Sequence, residues 1–315
     1  MTLTSLTVLD GWLERRLAGR AQAFFADAVA ECAAGPTSGR FGEILALASR
    51  HVRPTEALAP SDGERDEASA ALSGWEPERW TLLETLRARL AIGLAEAGGE
   101  PADATLEEAF RYADEGETAA LMRSAAHLPR AERFRWRVGE GCRSNMRTVF
   151  EAAACDTPYL ERYFDDESFR QAALKALFVG APLWRIRGLD QHLDATLARM
   201  ALDYIEERRS AGRHVPHEVW LCLGPHGGDR GIQSLAAELR AETRHSIPGA
   251  PEHHGARARA AAGLALLRTG ASEHFQTYLA SEADSRVRRV WSDQSGAFPA
   301  QGVFRALELA AFSNL

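Results

Sequence analysis

Apolar positions along the chain recur mainly with helical spacing. Leu197, Met200, Ala201, Tyr204 and Ile205 fall at i, i+3, i+4, i+7 and i+8, which places them on one face of a helix. Asp203, Glu206 and Glu207 lie off that stripe, and Gly212 is a natural stop just beyond it. Ala260, Ala261, Leu264 and Leu267 make a second stripe that ends at Gly270. Period-two alternation is almost absent. Residues 218–224, "EVWLCLG", are the best strand candidate, yet "VPHEVW" also reads as a short helix opened by proline, and the helix is the favoured reading.

Turn-forming residues divide this pattern. "AAGPTSGR" (33–40), "RPTEALAPSDGERDE" (53–67) and "AGGEPADAT" (97–105) read as loops or helix boundaries. From residue 107 to 213 the helices run nearly without a gap, and "LGPHGGDRG" (223–231) makes the next break. Beyond it, "IQSLAAELRAETRH", "GARARAAAGLALLRTG" and "SEHFQTYLASEADSRVRRVW" are amphipathic units of similar length, followed by a loop and a closing helix. Such units bury their apolar faces by stacking on neighbours, as in a HEAT-like array. The expectation is an all-α fold: an N-terminal helical region over 1–100, a helical core over 101–222, and HEAT-like helices over 223–315. The three form one continuous helical domain.

Composition narrows the function. The 37 basic and 44 acidic side chains leave a formal net charge of −7, against the concentrated positive field that sequence-independent nucleic-acid binding needs. The "RVRR" run at 286–289 reads as a solvated helix face. No apolar stretch approaches the roughly 20 residues that span a bilayer. The N-terminus reads as an ordinary helix and not a signal peptide. Cys32, Cys142, Cys155 and Cys222 are scattered without C-x-x-C spacing, like reduced, buried thiols of a cytoplasmic protein.

The densest mixture of chemical types is "CRSNMRTVFEAAACDTPYLERYF", residues 142–164. Placed on one helix, Cys142, Met146, Val149, Phe150 and Ala153 form an apolar arc with Arg143 on one border and Asn145 on the other. Border residues can pack their stems while their heads reach a polar pocket between helices, or can serve neighbouring helices as hydrogen-bond partners. Arg147 and Glu151, four apart, can pair along the surface. Asp156 or Thr157 before Pro158 suggests a helix start, and Asp165 or Asp166 a cap for the next helix. Tyr159 and Tyr163 share a face. In "KALFVGAPLWRIRGLD", Arg185 and Arg187 follow a Gly/Pro stop and precede Asp190, a pattern that builds either an anion pocket or an inter-helix salt bridge. There is no phosphate-binding Gly-Lys loop and no nucleophile elbow. His214 and His217 are three apart with no acid or Cys at ligand spacing, and His253–His254 sits in a Pro/Gly-rich stretch. No metal and no cofactor are expected.

"GCRSNMRTVFEAAACDTPYLERYFDDESFRQAALKALFVGAPLWRIRGLD" and then "LARMALDYIEERRSAGRHVPHEVW" resemble the EboA family over residues 140–220, and "LPRAERFRWRVGE" and "FGEILALASRHV" do so more weakly. Matching positions include Arg143, Asn145, Phe150, Pro158, Tyr159, Lys175, Arg185, Gly188, Asp190, Tyr204, Arg208 and Arg213, while Glu151 stands where many members carry Asp. The chain departs from the family pattern at Thr157, Phe169, Arg170, Gln191, His192, Glu206 and Arg209. The resemblance implies a cytoplasmic bacterial protein of the ebo operon, tied to making or moving a small metabolite, with no established reaction.

The function expected is an accessory protein of specialised-metabolite biosynthesis or traffic that binds a small polar metabolite, a partner protein of its operon, or both. It is neither nucleic-acid binding nor membrane-embedded. Arg143, Asn145, Lys175 and Arg185 would hold the ligand, with Glu151, Tyr159 and Asp190 beside them. An enzyme acting without metal would use Glu151 or Asp190 as general base and Tyr159 or Lys175 as acid. A helical scaffold for partner docking is the third reading.

Overall fold

The structure is a computed structural model and describes residues 3–240, 253–269, 272–293 and 302–311. Gly270, the end of "IQSLAAELRAETRH" and the loop before the closing helix lie outside the described residues. Among the described residues every regular element is helical, apart from one isolated bridge between Ala57 and Thr81. The chain divides into two compact units, residues 1–168 and 169–315.

The first unit carries α1 (Ser5–Arg16), α2 (Gly19–Ala33), α3 (Ser38–Ala48), α4 (Asp62–Ala71), α5 (Leu82–Ala97), α6 (Gly99–Tyr112), α7 (Glu115–Ser124), α8 (Arg135–Arg143), α9 (Arg147–Ala154) and α10 (Tyr159–Tyr163). Its centre is α5, which touches α1, α2, α3, α6 and α7. That helix starts at a reciprocal cap: Thr81 Oγ1 accepts from Glu84 N at 3.1 Å, and Glu84 Oε2 accepts from Thr81 N at 2.7 Å. Leu86, Leu90, Ala91, Ile92 and Leu94 are buried, each large side chain contributing about 2 kcal/mol of transfer free energy. Two arginines are buried on the same helix with partners of their own. Arg87 Nε donates to the Leu45 carbonyl at 2.9 Å, and Arg89 Nε to Asp10 at 2.5 Å. Beside α5, Trp12, Trp75, Trp80 and His127 pack ring against ring, and Ser5 Oγ lies 2.8 Å from His127 Nδ1.

The second unit carries α11 (Asp166–Val179), whose first three residues still count with the first unit, followed by α12 (Ala195–Ser210), α13 (Gly228–Arg240), α14 (His254–Arg268), α15 (Ser272–Ser281), α16 (Ser285–Asp293) and α17 (Val303–Ala311). The alanine-rich middle of α14, residues 260–266, is buried throughout, while Arg257, Arg259 and Arg268 are half-buried. It packs against α13, α15, α16, α17 and the 3-10 turn His217–Cys222. A Cβ at Gly263 would collide with the Trp291 indole, which donates to the Ala260 carbonyl at 3.1 Å, so the close approach of α16 requires glycine there.

Four local expectations are corrected. The helix drawn through residues 142–153 is broken: α8 ends at Arg143 and α9 begins at Arg147. Ser144 takes extended backbone angles and its Oγ accepts from Met146 N at 3.0 Å, a local bond that competes with the helix ladder. Met146 is consequently 44% exposed instead of lying in the apolar arc. Asp156 is no helix cap but a buried corner residue with φ of 59°, and its carbonyl accepts from Glu76 N at 3.1 Å. His254 belongs to a helix, with only His253 outside it, in the left-handed region. Pro158 is itself the N-cap of α10 and not its first helical residue, with Thr157 Oγ1 accepting from Tyr159 N just before it, whereas Asp165 Oδ1 accepts from Ser168 N as a cap should, and Glu218–Trp220 lie in a short 3-10 helix and not in a strand.

Candidate functional site

The break between α8 and α9 forms one wall of an open cleft of about 500 Å³ in the first unit. Phe110 and Ala113 enter it from α6 and the residue after it, Glu115, Thr118 and Met122 from α7, and Arg137, Glu140, Gly141 and Arg143 from α8. Ser144, Asn145 and Met146 come from the break and Val149 from α9. Phe110, Met122 and Val149 are buried and make an apolar floor, whereas Glu115, Glu140, Arg143 and Asn145 are exposed at the rim.

Sequence dictates this geometry locally. Asp114 Oδ1 accepts from Glu117 N at 2.7 Å and Glu117 Oε2 from Asp114 N at 3.1 Å, a reciprocal cap that sets Glu115 in the first turn of α7. A Cβ at Gly141 would lie 2.9 Å from both Ala153 Cβ and Met122 Sδ, so glycine lets α8 close onto α9 and α7. Charges at the rim have partners within the protein. Arg143 Nη1 donates to Glu140 at 2.5 Å, Arg137 Nε to Glu107 at 2.8 Å, and the Thr148 hydroxyl to Glu115. Burial pushes the neighbouring Cys142 thiol up to about 12, which keeps it protonated and unreactive at neutral pH.

Of the side chains singled out in the sequence, the structure brings Arg143 and Asn145 together in this cleft. Glu151 and Tyr159 belong to the same unit but do not line it. Glu151 accepts from Arg147 Nε at 2.5 Å. Tyr159 is 1% exposed and donates its hydroxyl to the Ala131 carbonyl at 2.6 Å, while burial holds the phenol above its usual range.

Lys175, Arg185 and Asp190 belong to the second unit. The Lys175 ammonium sits 5.1 Å from the centre of the Phe178 ring. Arg185 is buried in the 3-10 turn Leu183–Arg185. That turn is held by Glu218, whose two oxygens accept from Leu183 N at 3.0 Å and Trp184 N at 3.2 Å. Burial pushes the Glu218 carboxyl up to about 7 against the opposing pull of those two N–H groups. Asp190 accepts from Val303 N at 3.1 Å and lies 3.6 Å from Arg268. Its carboxyl is raised by burial, with the Val303 N–H and Arg268 acting in the opposite sense.

Sequence reasoning missed Glu115, Met122, Arg137, Glu140 and Ser144 at the cleft, and Glu218 as a buried and His127 as a half-buried ionisable group. The one local signal for the cleft was "VGEGC", where glycine inside a helical pattern marks a close approach. Three positions that depart from the family pattern, Phe169, Arg170 and His192, make side-chain contacts within the second unit. Phe169 stacks on His192 with ring centres 3.9 Å apart, and Arg170 donates to Asp194 at 2.6 Å.

Among the described residues no three His, Cys, Asp or Glu side chains group closely enough to hold a metal ion, and no helix is long and apolar enough to cross a membrane. What fold and cleft define together is an all-helical protein with an open amphipathic groove at a helix break. Within that class the chain belongs to the EboA family: the family model described as "Metabolite traffic protein EboA" matches residues 5–224. No curated protein and no solved structure matches the chain.

Proposed function

We propose that this protein is a cytoplasmic bacterial accessory factor of metabolite biosynthesis or traffic that holds a small polar metabolite in the cleft at the α8–α9 break. The observation that supports this most is the joint placement of Arg143 and Asn145, with Ser144 between them, around one apolar-floored groove inside the matched region. A cleft of about 500 Å³ suits a small ligand. The test is mass spectrometry of small molecules released on denaturation of purified protein, run beside Asn145→Trp, which places an indole over the groove from an exposed position. A compound recovered from the wild type and lost from the variant is the expected result. Equal recovery from both, or none from either, overturns the proposal.

Lys175, Arg185 and Asp190 serve the second unit in this proposal, as the Glu218-braced turn and the Asp190–Val303 bond suggest. The metal-independent enzyme reading would make Asp190 the general base; burial raises its carboxyl, which also accepts from Val303 N at 3.1 Å. The scaffold reading, with HEAT-like stacking, draws support from the packing of α13 on α14 and α16 on α17. Enclosure of α14 by several partners is more typical of a central core helix than of a linear stack.

A further inference from the structure

Resting on the binding cleft proposed above, we infer that its ligand is a net-uncharged amphiphile. An apolar body lies on Phe110, Met122 and Val149, and hydroxyl or carbonyl groups meet the rim. The lining holds two guanidinium groups, Arg137 and Arg143, and two carboxylates, Glu115 and Glu140, so its formal charge sums to zero. The four are also engaged within the protein: Arg143 with Glu140, Arg137 with Glu107, and Glu115 with the Thr148 hydroxyl.

An anionic ligand reaching Arg143 also meets the Glu140 carboxylate, which pairs with the same guanidinium and repels a second negative charge beside it. A cation meets the same difficulty with the signs exchanged. Contacts between exposed charges are individually weak, too weak to offset seating an ionised group over an apolar floor. A hydroxylated ligand meets neither cost. Ser144 Oγ accepts from Met146 N, which leaves its hydroxyl hydrogen to donate to a ligand oxygen, and the rim carboxylates keep lone pairs that accept from a ligand hydroxyl. The thioethers of Met122 and Met146 form a soft, adaptable part of the lining, suited to bodies of varying outline.

The four methionines of the chain make the test direct, because Met122 and Met146 line the cleft and Met200 lies on α12 in the second unit. The full chain, labelled at the methionine methyl carbons, is titrated at neutral pH with three probes sharing one ring system: 2-naphthol, 2-naphthoate and 2-naphthylmethylammonium. The expected result is that 2-naphthol shifts the Met122 and Met146 signals, leaves Met200 unmoved, and binds about threefold to fivefold more tightly than either charged probe. Asn145→Trp is expected to remove those shifts. Should either charged probe move the same two signals as tightly as naphthol or more so, the charge inference fails and the cleft stands. If none of the three moves Met122 or Met146, the cleft itself fails as a ligand site.

Discussion

Tyr159 carries a reactive type of side chain at a family-matching position, yet its surroundings give it a structural task. Its hydroxyl donates to the Ala131 carbonyl at 2.6 Å, and its ring lies 4.8 Å from that of Tyr163 and 6.3 Å from that of Phe164. A phenol raised by burial and already donating to a main-chain oxygen is poorly placed to exchange a proton with a ligand. Tyr159→Phe strips the buried carbonyl of its donor, which costs about 1–2 kcal/mol. Urea denaturation of the variant is expected to show that loss. Naphthol titration of the same variant is expected to leave the Met122 and Met146 shifts as they are in the wild type. A stable variant with altered cleft signals would return Tyr159 to the site.

The break between α8 and α9 is the element on which the cleft depends, and the two glycines of α8 that precede it make opposite predictions. At Gly141 a Cβ meets Ala153 and Met122 near 2.9 Å, so Gly141→Ala pushes the helices apart and costs about 1–3 kcal/mol. At Gly139 a Cβ meets only the Arg143 guanidinium, at 3.6 Å, so Gly139→Ala adds helix propensity and stabilises by about 0.5–1 kcal/mol. Thermal unfolding of the pair distinguishes a steric role for Gly141 from a general sensitivity of α8. Much of this element was legible in the sequence. Cys142, Val149, Phe150 and Ala153 are buried as the helical arc required, because the chain is helical on each side of the break. The break itself was hidden, since Ser, Asn and Met are all tolerated in helices, and the Ser144–Met146 bond that accompanies the non-helical backbone there leaves no mark in the sequence. Long-range partners were hidden for a different reason. Arg87 and Arg89 look like solvated residues on α5, but their partners, Leu45 and Asp10, lie 42 and 79 positions away. The same holds for Phe169 with His192 and Arg170 with Asp194, which meet only in the folded second unit. A double-mutant cycle on Arg170→Ala and Asp194→Ala is expected to give a coupling of about 0.5–1 kcal/mol, with additive single losses as the contrary result.

Across the whole molecule, buried ionisable groups set two opposed dependences of stability on pH. Burial lowers His127 and His217 to about 3 and also depresses His214 and His254. His127 and His217 stay neutral when folded but take up protons when unfolded, and the other two shift in the same direction, so the stability they contribute is present above about pH 6.5 and is lost as pH falls. Glu218 acts in the reverse sense. Its folded carboxyl holds the proton to about 7, so its contribution is full below the unfolded value and is lost as pH rises through 7. Between pH 7 and 5 protonation of Glu218 therefore offsets part of what the histidines lose, by about 2 kcal/mol. Glu218→Gln removes that offset while leaving an amide oxygen to accept one of the two N–H groups of the Leu183–Arg185 turn. Calorimetry across that interval is expected to show the variant melting temperature falling more steeply than that of the wild type as pH drops, with the two chains closest near pH 7. Parallel curves would mean that Glu218 titrates near its ordinary value, and that its bonds to Leu183 and Trp184 are made by a carboxylate throughout.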